Sequence, residues 1–333
     1  MPISSAARSA PRPSIAVSAT LWPVTTAYLA AEGYEDQLSE ELARADVVVT
    51  TRHGRLFVAE ECVDAAWAIN TWFDAEHITI ASIGDAAKAL RQRQRNWALY
   101  APDHRGRAEL IAERLPHVSA KPLLLGARAP TSPLGSWTLL APDQVLASMR
   151  CSSPFPNGEP RFVEDRDGPP SRAYLKLWEA LVRLDRWPAA HDVCLDLGAS
   201  PGGWTWLLAQ SGARVIAVDR APLDPRVSTL ANVEWRGDSA FALEPSSFDH
   251  LDWLCSDVIG YPARLLTLAE RWQQSGRVRN MVVTVKFQGE TDHGLARAFA
   301  ELPGGRLFHL HNNRHELTFA IVEPDASPST GDS

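Results

Sequence analysis

The chain has 333 residues, which is enough for two domains of ordinary size. Hydrophobic residues make up 45% of it and charged residues 22%, which excludes a wholly disordered, collagen-like or coiled-coil protein. The formal net charge of −7 excludes a nucleic-acid partner held by overall electrostatic attraction alone.

The cysteines and the apolar runs set further limits. Four cysteines occur without the spacing of a zinc site or a disulfide framework, which predicts reduced thiols, no metal and a cytoplasmic location. No apolar run reaches the roughly 18–20 residues of a membrane span, so no membrane partner is expected. The first 20 residues are rich in Ser, Ala and Pro and are predicted to form a disordered tail.

Residues 21–150 are predicted to form a small α+β domain. The hydrophobic patterns place helices at residues 35–45, 65–75 and 85–95, and short strands at residues 46–51, 55–59 and 138–141. A stretch rich in Pro, Gly and Ser at residues 126–137 is predicted to be a linker, and residues 151–170 a connector to the next domain.

From residue 171 to residue 324 strands and helices alternate. Helices are predicted at residues 171–184, 204–211 and 263–274, the first with Ser171 as its N-cap. Strands are predicted at residues 193–197, 214–218, 233–236, 253–255, 281–285 and 317–322. This alternation predicts an α/β, Rossmann-like domain with a mostly parallel, doubly wound sheet and an antiparallel last strand. Residues 325–333 are expected to be a disordered tail.

The segment LDLGASPGGW at residues 195–204 connects a hydrophobic strand to a helix and is typical of a nucleoside-cofactor loop. Asp219 ends the next strand, where a carboxylate can accept hydrogen bonds from ribose hydroxyls, and Asp238 lies where one could reach an adenine amino group. The loop lacks the GxG of a dinucleotide site, which favours S-adenosylmethionine over NAD. The predicted cofactor-binding residues are Gly198, Ser200, Pro201, Gly202, Gly203, Trp204, Asp219, Asp238 and Asp257.

Four charged residues are expected to meet at the carboxyl ends of the parallel strands: Lys176, Asp257, Lys286 and Glu316. Only four of the 33 basic residues are lysines, and the two in the C-terminal half both belong to this set. A lysine can give up a proton near neutrality and an arginine cannot, so Lys286 is the candidate base for methyl transfer to a ribose 2′-hydroxyl. The positive charge of Lys176 would disfavour a second positive charge on Lys286, while the carboxylates of Asp257 and Glu316 orient the two amines.

These motifs resemble the FtsJ-type ribose 2′-O-methyltransferases, whose K-D-K-E tetrad matches the four residues one by one. The segments PFPNGEPRF, SRAYLKLWEA and SDVIGYPAR resemble those members that modify a cytidine of bacterial large-subunit (23S) ribosomal RNA. The resemblance covers roughly residues 154–322. It implies S-adenosylmethionine as cofactor, ribosomal RNA as partner, and a ferredoxin-like and reduced THUMP-like RNA-positioning region at residues 21–150. Residues 258–260 and 287–289 depart from the pattern.

A basic stretch in the N-terminal half is the candidate RNA surface. Its members are Lys88, Arg91, Arg93, Arg95, Arg105 and Arg107. Trp97 and Tyr100 lie within it and could stack on unpaired bases. Most of the twelve tryptophans are expected in the core, with Trp204 and Trp206 as the exceptions.

Three alternatives to a large-subunit RNA methyltransferase stay open. The chain could methylate another RNA, such as tRNA or a cap. It could be an NAD-dependent oxidoreductase, which has no use for the tetrad, or a non-catalytic RNA-binding assembly factor that keeps the fold and binds cofactor without turnover.

Overall fold

A computed structural model describes residues 25–323 of the chain. Both predicted tails, residues 1–20 and 325–333, lie outside that range. The described residues form two sheets with helices packed against them. Within this range no helix is long and apolar enough to cross a membrane.

The first sheet is built from the N-terminal half of the chain. Its strands are β1 (Thr25–Ala30), β2 (Val49–His53), β3 (Leu56–Ala59), β4 (Ala68–Thr79), β5 (Trp97–Leu99), β6 (Gly135–Ala141), β7 (Gln144–Ser148) and β8 (Arg150–Cys151). The strand order is β2-β3-β1-β4-β7-β6-β5, with β8 also paired to β4, and β5–β6 is a parallel pair. Three helices belong to this part: α1 (Glu35–Arg44), α2 (Ile83–Arg93) and α3 (Arg105–Ala112).

The predicted helix at residues 65–75 is wrong, because residues 68–75 belong to the long strand β4. The strand lies between β1 and β7, and its first five residues are all buried. A strand covered on both faces shows no alternation of apolar and polar residues, so its pattern does not separate it from a helix. Strand β6 begins at Gly135, three residues before the predicted strand and inside the predicted linker.

The second sheet follows the predicted alternation. Its strands are β9 (Val193–Leu197), β10 (Arg214–Val218), β11 (Val233–Arg236), β12 (Leu251–Ser256), β13 (Val278–Lys286), β14 (Arg306–Phe308) and β15 (Glu316–Ile321). The helices are α4 (Tyr174–Leu184), α5 (Gly203–Gln210), α6 (Pro225–Ser228), α7 (Pro262–Gln274) and α8 (His293–Ala300). The order is β11-β10-β9-β12-β13-β15-β14, parallel as far as β13 and antiparallel on both sides of β15. The predicted Rossmann-like fold is confirmed.

The prediction that Ser171 is the N-cap of α4 is wrong. The helix begins at Tyr174, its N-cap is Ala173, and no side chain caps it. The Ser171 hydroxyl is buried and has no hydrogen-bond partner within residues 25–323. A Cβ added to Gly203 would lie 2.6 Å from that oxygen. Ser171 therefore packs against the start of α5 and not at the N-terminal end of α4.

The two sheets share a hydrophobic core. Trp67, which precedes β4, is fully buried. Its ring centroid lies 5.3 Å from that of His309, 5.8 Å from that of His315 and 6.0 Å from that of Phe287. The main-chain amide of His309 also donates a hydrogen bond to the carbonyl of Ala66, at 2.7 Å. The N-terminal part thus supports the segments that follow β13 and precede β15.

A buried carboxyl group beside Trp67 makes stability depend on pH. Glu41 accepts hydrogen bonds from the main-chain amides of Ala66 (2.7 Å) and Trp67 (2.9 Å), and burial raises its pKa to about 7 from 4.5. The folded state binds this proton more tightly than the unfolded chain, so the stabilisation is present below about pH 4.5 and is lost as the pH rises towards 7. We expect the free energy of unfolding, measured in urea relative to Glu41→Gln, to fall across that interval. A difference that stays constant with pH would contradict the raised pKa.

Candidate functional site

Four charged side chains from separate elements meet at one edge of the second sheet. Lys176 lies in the first turn of α4, and Asp257 directly follows β12. Lys286 is the last residue of β13 and Glu316 the first of β15. These two are direct cross-strand partners in the antiparallel register. The carboxyl ends of the parallel strands and the start of the antiparallel one therefore lie at the same edge, as the sequence predicted.

The four residues form one continuous network of ion pairs, which we call the tetrad. Lys176 Nζ lies 2.8 and 2.9 Å from the two carboxylate oxygens of Asp257, and 3.2 Å from Glu316 Oε1. Lys286 Nζ lies 2.9 Å from Asp257 Oδ1 and donates to the main-chain carbonyl of Asp257 at 2.6 Å. The side chains are between 10% and 21% exposed, so the tetrad is largely enclosed but reachable from solvent.

The geometry leaves part of Lys286 available to a ligand. An amine nitrogen has four bonding directions, one of them occupied by its own carbon. Lys286 Nζ uses two others on Asp257, one towards the carboxylate and one towards the main-chain carbonyl. One direction remains for a further oxygen. The same Asp257 carboxylate binds Lys176, so a single acidic group fixes the positions of both amines.

The glycine loop between β9 and α5 passes close to its neighbours. Gly198 has φ +78°, and a Cβ added there would lie 2.6 Å from the Cα of Val258, the residue after Asp257. Gly202 has φ +114°. Only glycine adopts such backbone angles without strain. The loop can therefore lie directly against the segment that holds Asp257.

A methyl group at Gly198 is expected to disrupt this packing. Gly198→Ala adds both the strain of a positive φ and a clash with a main-chain atom, whereas Gly126→Ala, at φ +80° with nothing within 4 Å, adds the strain alone. We expect Gly198→Ala to lower the melting temperature more than Gly126→Ala does, and to abolish the thermal stabilisation by S-adenosylhomocysteine. Equal effects of the two substitutions would show that the close approach is unimportant.

The predicted cofactor carboxylates are placed differently from one another. Asp219 accepts hydrogen bonds from the main-chain amides of Ser200 (3.1 Å) and Ala221 (2.9 Å), which fixes it beside the glycine loop. Asp238 is exposed and accepts a bond from the amide of Ser239 at 2.6 Å. The structure thus brings Asp219 to the loop, and leaves Asp238 at the surface after β11.

Asp196 is a candidate site residue that was not predicted from the sequence. It is buried in β9, and Thr205 donates a hydrogen bond of 2.6 Å to its Oδ2. Its Oδ1 is buried without a partner among the described residues. Burial raises the pKa of Asp196 to about 7. The available signal was a carboxylate inside an otherwise apolar strand, two residues before Gly198.

Trp204 and Trp206 are not base-stacking platforms, which corrects the prediction. Both are buried. The Trp204 indole donates a hydrogen bond to the carbonyl of Ala173 at 2.9 Å, and Trp206 packs edge-on against Tyr174. Helix α5 packs on α4 through these rings, so only the main chain of Trp204 is available to a cofactor.

Two members of the predicted RNA surface take part in ion pairs. Arg93 pairs with Glu76 on β4 at 2.8 Å, and Arg105 pairs with Glu109 at 2.8 Å. Each of these guanidinium groups thus has a carboxylate partner. Trp97 and Tyr100 are buried and cannot stack on a base.

The remaining members of the stretch are mostly exposed. Lys88, Arg91 and Arg95 lie at the surface, and Arg107 is half-buried. Arg91 donates to the main-chain carbonyl of Arg114 at 2.6 Å. A contact with RNA phosphates by these side chains stays a prediction.

No group of three or more metal-ligating side chains occurs within residues 25–323.

Comparison with known proteins finds relatives of the C-terminal half of the chain. Residues 169–292 match the family model of the FtsJ-like methyltransferases, which confirms the resemblance in the sequence. Ribosomal RNA large subunit methyltransferase M of Halorhodospira halophila is 37% identical over 153 residues, or 44% of each chain. The protein of that name from an Azoarcus species is 38% identical over 143 residues, which cover 41% of this chain and 38% of the relative.

The match to these relatives thus spans less than half of their length. Among solved structures, TrmN from Thermus thermophilus covers 90% of this chain and 99% of its own, with 16% identity and a TM-score of 0.33. A likeness at that TM-score supports no argument about function.

Proposed function

We propose that this chain, whose residues 169–292 match the FtsJ-like methyltransferases, methylates a ribose 2′-hydroxyl of large-subunit ribosomal RNA, at a cytidine, with S-adenosylmethionine as methyl donor. The observation that supports this most is the tetrad, which joins two lysines through one carboxylate beside a glycine loop. The names of the curated relatives support the choice of RNA.

The residues present fit the proposed cofactor. Gly198 lies where any side chain would obstruct the loop, and Asp196 Oδ1 is a buried acceptor without a partner in the described chain. The glycine loop, from Gly198 to Gly203, would hold the cofactor, with Asp219 on the ribose hydroxyls and Asp238 on the adenine amino group. S-adenosylmethionine supplies, when bound, the methyl group on its positively charged sulfur.

Each member of the tetrad has a proposed role in activating the 2′-hydroxyl. Lys286 Nζ, in its uncharged form, accepts the hydroxyl proton through its open direction. Asp257 holds the nitrogen of Lys286 in place. Lys176 binds the same carboxylate, and its positive charge disfavours a second positive charge on Lys286. Glu316 holds Lys176 in place.

The proposal is tested by methyl transfer in vitro. Purified chain is incubated with methyl-labelled S-adenosylmethionine and with large-subunit RNA made by transcription, which carries no modification. We expect label on the ribose of one cytidine, located by nuclease digestion. Label that appears on tRNA or a cap and not on this RNA would favour another RNA substrate. Cofactor binding without label on any RNA would favour an assembly factor.

A thermal shift separates the cofactor alternatives. A ligand at 100 times its dissociation constant stabilises the folded state by about 2.7 kcal/mol. We expect S-adenosylhomocysteine, the product form of the cofactor, to raise the melting temperature and NAD to leave it unchanged. Stabilisation by NAD alone would favour an oxidoreductase.

A further inference from the structure

The two most exposed large hydrophobic side chains within residues 25–323 lie together beside the tetrad. Ile259 is 76% exposed and Tyr261 is 71% exposed, and they follow Asp257 by two and four residues. Large apolar side chains that are grouped at the surface indicate a site of interaction, whereas single ones do not. The pair therefore requires an explanation in terms of a partner.

The segment that carries these side chains is held in place from both sides. On one side, Val258 packs against the glycine loop, since a Cβ on Gly198 would lie 2.6 Å from its Cα. On the other side, a Cβ on Gly260 would lie 2.8 Å from the ring of Phe241. The close packing of Val258 and Gly260 leaves Ile259 and Tyr261 facing solvent.

A positive charge completes this surface. Arg264 lies in the first turn of α7, and its main-chain amide donates to the carbonyl of Tyr261 at 2.9 Å. Its guanidinium carbon is 3.9 Å from the centroid of the Phe241 ring. Arg264 is exposed, and no carboxylate within the described range pairs with it. Arg271, on the same helix, differs in that it pairs with Glu244 at 3.1 Å.

We propose that Ile259, Tyr261 and Arg264 form a docking surface for an unpaired nucleotide next to the methylated one, with Tyr261 stacked on its base and Arg264 on its phosphate. The inference rests on the proposed function, because it takes the substrate to be RNA. Exposed aromatic side chains with an unpaired arginine suit single-stranded RNA. The surface follows Asp257 by two to seven residues, so it lies on the segment that leads away from the tetrad.

The surface is separate from the basic stretch of the N-terminal half. Two arginines of that stretch, Arg93 and Arg105, pair with carboxylates. The surface therefore offers a route to RNA recognition that does not depend on the −7 net charge of the chain.

The test compares Tyr261→Ala, Tyr261→Phe and Arg264→Ala with wild type, and uses Val48→Ala as the control for an exposed apolar side chain elsewhere. We expect Tyr261→Ala to raise the KM for RNA about tenfold or more with kcat little changed, and Tyr261→Phe to restore the KM. Arg264→Ala is expected to reduce the salt dependence of RNA binding by about one phosphate contact. Val48→Ala is expected to leave the KM unchanged.

A direct binding measurement separates this inference from the proposed function. Fluorescence anisotropy with a labelled single-stranded fragment of large-subunit RNA, in the presence of S-adenosylhomocysteine, reports binding without methyl transfer. Weaker binding by Tyr261→Ala, with unchanged thermal stabilisation by S-adenosylhomocysteine, supports the surface even if wild type transfers no methyl group to this RNA. Unchanged RNA affinity would overturn the surface even if wild type is active. A dimer that dissociates in Tyr261→Ala, with RNA affinity unchanged, would assign the surface to a second copy and also overturn it.

Discussion

Replacing Lys286 by alanine is expected to reduce the rate of methyl transfer by about a hundred- to ten-thousandfold, which is the usual contribution of a positioned base. The side chain ends between the carboxylate and the main-chain carbonyl of Asp257, with one direction open to a substrate oxygen. Lys286→Arg is expected to be equally inactive, because a guanidinium keeps its proton near neutrality. Single-turnover transfer of labelled methyl groups measures the effect.

The control is another lysine outside the tetrad. Lys121→Ala removes an exposed lysine of the N-terminal half and is expected to keep full activity. Thermal stabilisation by S-adenosylhomocysteine should be similar in wild type, Lys286→Ala and Lys121→Ala, which would show that the loss concerns chemistry and not cofactor binding. Full activity of Lys286→Ala would contradict its assignment as the base.

Glu179→Ala is expected to lower the free energy of unfolding by about 3–5 kcal/mol. Glu179 is fully buried in α4 and pairs with Arg183 at 3.0 Å. It also accepts hydrogen bonds from the amides of His311 (2.8 Å) and Asn312 (3.0 Å) and from the Asn312 side chain (2.8 Å). Its removal leaves a charge and several donors without a partner, and urea unfolding measures the loss.

The chain contains a matched pair for this substitution. Arg297 and Glu301, at the C-terminal end of α8, are also four residues apart and pair at 2.8 Å, but both are largely exposed. Glu301→Ala is expected to cost less than about 0.5 kcal/mol, because solvent screens the pair. Similar losses of unfolding free energy for the two substitutions would show that the contacts of Glu179 with the segment before β15 do not stabilise the fold. Glu179→Ala should also slow methyl transfer, since that segment leads into Glu316.

The sequence predicted the second sheet better than the first for a physical reason. Strands β9, β10 and β11 begin and end at the predicted residues. They are short segments bounded by turn residues and helices, and this alternation fixes a parallel sheet. Strand β4, in contrast, takes partners from distant parts of the chain, and its burial on both faces removes the period on which the prediction depends.

In the candidate site, too, one part could be predicted from the sequence and another could not. The meeting of the tetrad could be predicted, because strand ends and strand direction determine it. The ion pair between Arg93 and Glu76 could not be predicted, since Glu76 lies on another element, 17 residues away in sequence. The contacts of Glu179 with residues 311 and 312 span more than 130 positions, and no local pattern indicates them. Sequence patterns thus placed the tetrad and not the groups that hold it.

The pairing of Lys286 with Glu316 across two antiparallel strands has a consequence for how related sequences can vary. Neighbouring residues of a strand point to opposite faces, so one residue inserted within β13 or β15 would turn one of the two side chains away from the other. The intervening residues 287–315 are not under that constraint. Those parts of the segment that contact neither Ala66 nor Glu179 can change in length while Lys286 and Glu316 stay opposite each other. The strand register thus keeps the two charged groups together whatever the length of the connection between them.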